Sequence, residues 1–249
     1  MTFDGTVVAP VVLAWSAMAL AATLFLMLGR VFQWPSQTVG ALLLVGVLGN
    51  TSFLGLGLVE GLLGAQHLTA AIAYDQLGTF LALALYGSFV ASRWGREIFD
   101  ARSVVRRLFT FAPFLALLCA CIARSFTVPS VVLDVLDPVG RTVGPVAMGA
   151  LGLRFQLRVS ARVRRPAMIG LSIKMVLIPI VLLCVAWGWG SLDDVAWKAS
   201  ILESAMPPMI TAGIVAVGAG MDEDLVAFMV GVGTLLSFLS VPLLSILLQ

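Results

Sequence analysis

Glu203-Ser204-Ala205-Met206-Pro207-Pro208-Met209-Ile210 lies inside an apolar run from about Trp197 to Gly220, long enough to cross a bilayer. Each proline lacks an N–H, and its ring crowds the carbonyl four residues back, so a straight helix cannot pass through. Hydrocarbon offers the freed carbonyls no partner, and the break has to face protein or a wet cavity. Such an interruption is either a structural kink or the place where a transporter holds substrate or ion. A second interruption elsewhere in the chain would decide between these readings.

Only 11% of the residues are charged and 60% are hydrophobic, whereas a soluble domain carries about 25% charged residues. The chain reads as an all-α polytopic membrane protein, a single transmembrane domain over 1–249 with about eight transmembrane helices. The apolar segments run over 7–32, 38–63, 67–92, 108–128, 131–153, 166–190, 197–220 and 225–248. The second of them is rich in glycine. It holds Gly49-Asn50-Thr51-Ser52, an amide and two hydroxyls that can unwind a turn and present carbonyls or a half-helix N-terminus.

The order of segments is symmetric. Residues 7–92 form a three-helix bundle with the glycine-rich segment in the middle, and 166–248 form one with the double proline in the middle. The pair at 108–153 lies between them as scaffold-type helices. One trio starts on the opposite side of the membrane from the other, so the two are inverted repeats. Asn50 falls about 17 Å below the start of its segment and Pro207 about 15 Å below the start of its own. Both interruptions therefore meet near the middle of a roughly 30 Å core.

The basic residues cluster at Arg93, Arg96, Arg102, Arg106 and Arg107, and again at Arg154, Arg158, Arg162, Arg164 and Arg165. Arginine-rich loops stay in the cytoplasm, which places Asp193-Asp194 and both termini outside. The net charge of +2 resides in these loops, so no nucleic-acid partner is expected. Cys119, Cys121 and Cys184 sit in apolar runs and read as small apolar side chains. One histidine, His67, is too few for a histidine-rich metal site.

Ionisable residues inside a membrane segment are functional candidates by default. Asp75 and Glu203 lie about 12 and 9 Å from the outer face, and Lys174 is about as deep from the inner one. Asp75 and Glu203 are the candidate ion-coupling groups. Lys174 either faces inward or reaches the interface along its aliphatic stem. Gly55 and Gly57 are expected to serve close packing, and Arg141 to pair with Asp134 or Asp137. An intramembrane enzyme fits poorly. Tyr74-Asp75 has no second Gly-x-Gly-Asp to complete an aspartyl pair, and His67 stands at a helix end.

Three ordered motifs resemble the auxin efflux carrier family of permeases. Gly49-Asn50-Thr51-Ser52-Phe53-Leu54-Gly55-Leu56-Gly57-Leu58 is similar to the family's first-repeat motif, with Gly57 where that motif has proline. Ala205-Met206-Pro207 is similar to its second-repeat motif, and Lys174 with Pro179 to the helix between them. The resemblance implies a fold like the bile acid–sodium symporters, with ten helices in two inverted repeats whose broken helices cross. Against that pattern the chain starts at the third helix, the first two of ten being absent. It further implies a secondary transporter of a small organic anion, such as a mono- or dicarboxylate, in the cell membrane. A transport-inactive sensor or scaffold of the same fold is the alternative. Asn50, Thr51, Lys174, Met206, Pro207 and Pro208 would bind substrate, and Gly49, Gly57 and Pro207 would form the crossover. No cofactor is expected; proton or sodium are the candidate coupling ions. The expected partners are membrane lipid, the organic anion and, as an open question, a second copy of the chain.

Overall fold

The computed structural model describes residues 5–95 and 161–248, with scattered positions from 115 to 142 between them. Residues 1–99 and 155–249 form one compact unit and 100–154 a second. The expected helix pair at 108–153 falls in the second unit and lies largely outside the described residues. Cys121, Arg124, Asp137 and Arg141 lie outside them too, and with Arg141 the expected pairing.

The first unit is built from α1 (Gly5–Val31), α2 (Ser36–Gly46), α3 (Thr51–Leu63), α4 (Ala65–Trp94) and α5 (Arg162–Gly188). It continues through α6 (Val195–Ser204), α7 (Ile210–Gly218) and α8 (Glu223–Ile246). Helices α1, α4, α5 and α8 are each long and apolar enough to cross a membrane. The pairs α2/α3 and α6/α7 are the halves of the two interrupted segments. The chain is an all-helical polytopic membrane protein.

Local chemistry sets the ends. The Asp194 carboxylate accepts from the N–H groups of Ala196 (2.7 Å) and Trp197 (3.2 Å) and starts α6. Gly220 adopts φ 74 after α7, a conformation glycine takes at little cost, and Asp222 then caps α8 through the Leu225 N–H at 3.4 Å. Lipid-embedded helices gain little from a hydrophobic drive between them, so small residues let them approach. A Cβ on Gly46 would lie 2.6 Å from the Phe25 ring, and one on Gly78 would lie 2.5 Å from Ala14.

The helices around the interruptions are wound wide. Leu42–Gly46, Thr51–Gly55, Tyr74–Phe80, Leu83–Gly87 and Ile173–Leu177 are π-helical. A wide turn displaces carbonyls from the regular ladder, and side chains of neighbouring helices bond two of these groups. The Trp15 indole donates to Leu77 O at 3.1 Å, and the Tyr86 hydroxyl donates to Leu43 O at 2.9 Å. These turns carry Asp75 and Lys174 and flank Asn50 on both sides.

Candidate functional site at the helix crossing

Between α2 and α3 the chain passes through Val47-Leu48-Gly49-Asn50, and between α6 and α7 through Ala205-Met206-Pro207-Pro208-Met209. These two links run antiparallel and hydrogen-bond to each other. The Asn50 N–H donates to Pro207 O at 2.8 Å, and the Met209 N–H donates to Leu48 O at 2.9 Å. Gly49 stands opposite Pro208. A buried backbone group needs a partner, and each interruption supplies the other's. The prolines add no unsatisfied donors because they have none to satisfy.

Two helix C-termini (α2, α6) and two N-termini (α3, α7) converge on this crossing. Lys174 is 4% exposed, and its ammonium donates to Ser204 O at 3.0 Å, a carbonyl at the end of α6. A cation is favourable at a helix C-terminus. The Lys174 Nζ also lies 3.0 Å from where a Cβ on Gly49 would stand, so the ammonium occupies the space that a side chain there would fill. The alternative route for Lys174, along its stem to the interface, is not taken.

Asn50 is fully buried, and neither its amide oxygen nor its amide nitrogen has a hydrogen-bond partner. A buried amide left bare costs about 1–3 kcal/mol. The Glu203 carboxylate is likewise fully buried with both oxygens unpartnered. It rests against the backbone of Gly55, where a Cβ would overlap it. Glu203 lies in the fields of both Asp75 and Lys174.

Asp75 is the opposite case. Its Oδ1 accepts from the hydroxyls of Thr51 (2.5 Å) and Ser52 (2.6 Å), and its Oδ2 accepts from the Gln76 amide at 2.6 Å. Thr51 is therefore turned toward a carboxylate rather than the crossing. Ser52 and Gln76 were not among the candidate site residues, although both stand in sequence beside residues that were. Met206 is fully buried at the corner of the second link, its Cβ 3.6 Å from the Gly49 Cβ position, and Pro208 packs on Gly233 of α8. Gly57 is not brought to the crossing. It lies within α3 with nothing within 4 Å of its Cβ position, which also removes the close packing expected of it. Cys119 and Cys184 are free and exposed. Among the described residues no cluster of three or more His, Cys, Asp or Glu side chains converges as a metal site.

A family of membrane transport proteins matches residues 96–245, more than half of the chain. The chain belongs to this family, the auxin efflux carriers. The matched stretch includes Lys174, Glu203 and the double proline; Asn50 and Asp75 precede it. An uncharacterized transporter of Methanothermobacter thermautotrophicus is 26% identical over 200 residues, covering 80% of this chain and 65% of that protein. An uncharacterized transporter of Methanocaldococcus jannaschii is 30% identical over 149 residues, covering 58% of this chain and 47% of that protein. The chain thus spans between about half and two thirds of the length of these relatives.

Proposed function

We propose that the protein is a secondary transporter that carries a small organic anion, a mono- or dicarboxylate, through the crossing of the two interrupted helices. The observation that supports this most is the bare Asn50 amide, next in the chain to Gly49, whose Cβ position the Lys174 ammonium approaches to 3.0 Å, at a point where two half-helices begin. Amide and ammonium are donors for a carboxylate, and the N-termini of α3 and α7 add partial positive charge. A ligand there would satisfy groups that the protein leaves without partners. Met206, Pro207 and Pro208 give the site an apolar wall on the second link.

Glu203 and Asp75 are the proposed coupling pair. A buried carboxylate without a donor is costly to hold as a bare charge, so Glu203 is stable there with a proton or beside a cation such as sodium. Asp75, already bonded through both oxygens, holds the first link in place through Thr51 and Ser52. The protein would sit in the cell membrane with its arginine-rich loops on the cytoplasmic side. Uptake of labelled mono- and dicarboxylates into vesicles, parent against Asn50→Ala, tests this reading. Accumulation by the parent and its loss in the variant is expected. Rates no higher than in empty vesicles across a broad panel would favour a transport-inactive scaffold.

A further inference from the structure

Where α1 ends, the chain turns through Phe32-Gln33-Trp34-Pro35 into α2. Gln33 adopts φ 51, a left-handed conformation uncommon outside glycine. The turn stacks the rings of Phe32 and Trp34 with centroids 5.4 Å apart. From the first turns of α5, the Arg165 guanidinium lies 4.7 Å from the centre of the Phe32 ring. Stacking on an aromatic face fixes a guanidinium plane while its edge N–H groups stay free. Arg30 and Arg164 are exposed at the same end of the bundle.

Among the described residues, the acidic groups at this end are Asp222, Glu223 and Asp224. Asp222 is taken up by Arg162 at 3.3 Å and Thr38 at 2.8 Å, while Glu223 and Asp224 are exposed at the start of α8. Arg30, Arg164 and Arg165 have no acidic partner among the described residues. Apolar side chains lie beside and below them: Val31, next to Arg30 at the end of α1, is 72% exposed, Met27, one turn deeper, is 57% exposed, and Met168 on α5 is 46% exposed.

We propose that this corner binds an anionic phospholipid, with the headgroup phosphate held by Arg165, Arg30 and Arg164 and the acyl chains lying over Met27, Val31 and Met168. Charge complementarity selects the anionic headgroup, since basic pockets at helix ends bind such lipids. The exposed apolar side chains beneath favour a lipid over a free phosphate. Arg93 stands 5.3 Å from the Trp94 ring at the end of α4 and provides a control with the same chemistry on a different helix.

The test is native mass spectrometry of the full chain, purified in detergent and titrated with an equimolar mixture of phosphatidylglycerol and phosphatidylcholine. The parent should retain phosphatidylglycerol preferentially. Arg165→Gln should weaken that retention about fivefold, as expected for one basic residue near a headgroup, and Arg93→Gln should leave it unchanged. Phe32→Leu, a milder change that keeps the arginine, should give a smaller loss in the same direction. No preference in the parent, or an equal loss in Arg93→Gln and Arg165→Gln, would overturn the site. Displacement of the lipid by soluble glycerol phosphate would identify a free-phosphate site and also overturn it.

Discussion

The two halves of the crossing achieve the same geometry by different means. The second link is broken by covalent structure, because Pro207 and Pro208 cannot continue α6 and have no N–H to satisfy. The first link has no proline. It is held open by two hydrogen bonds to the second link: Asn50 N–H donates to Pro207 O, and Leu48 O accepts from Met209 N–H. The halves also treat their carboxylates differently. Asp75 is bonded through both oxygens, whereas the Glu203 carboxylate has no hydrogen-bond partner. The first half has its carboxylate saturated but leaves the Asn50 amide bare, and the second half leaves its carboxylate without a hydrogen-bond donor.

The largest effect should come from Lys174, the cation shared between the halves. Lys174→Met keeps the length of the side chain and removes the ammonium. Because hydrogen bonds to charged groups contribute about 1.5–3 kcal/mol, carboxylate affinity should fall about 10- to 100-fold. The KM of uptake in vesicles measures this, and an unchanged KM would place the anion elsewhere. Next comes Gly55, where the halves touch. In Gly55→Ala the new methyl group overlaps the Glu203 carboxylate and displaces it, so ion-driven accumulation should fail even where substrate still binds. Accumulation equal to the parent would show that the position of Glu203 is immaterial.

The smallest effect belongs to Gly57, a glycine of the same motif. Its Cβ position is open and it lies within a helix, where alanine is favoured over glycine by about 0.5–1 kcal/mol. Gly57→Ala should therefore leave transport unchanged and raise thermal stability in detergent slightly. A loss of transport would mean that the crossing needs flexibility beyond Asn50.

The crossing itself was legible in the sequence. Pro207-Pro208 cannot continue a helix, Gly49-Asn50 invites unwinding, and each lies about halfway along its apolar segment. Other features were not, because they depend on which segments become neighbours. Lys174 had two feasible destinations until the end of α6 supplied the Ser204 carbonyl. Asp75 and Glu203 looked alike as buried carboxylates, and only the approach of α3 gave one of them hydroxyl donors. The wide turns left no trace in the apolar pattern, since membrane segments that are apolar on most faces have little periodicity for an expanded turn to shift. Gly57 looked like Gly55 because a glycine's neighbour is invisible until the fold places it.

Glu203→Gln tests the central claim most directly, that the vacant carboxylate of the second half couples an ion to substrate movement. The measurement compares two assays on the same vesicles: accumulation of labelled carboxylate driven by a proton or sodium gradient, and exchange of labelled for unlabelled substrate without one. The variant should lose gradient-driven accumulation and keep exchange. Accumulation with the parent's ion dependence would contradict the claim and move the coupling role to another group, with Asp75 the first to examine.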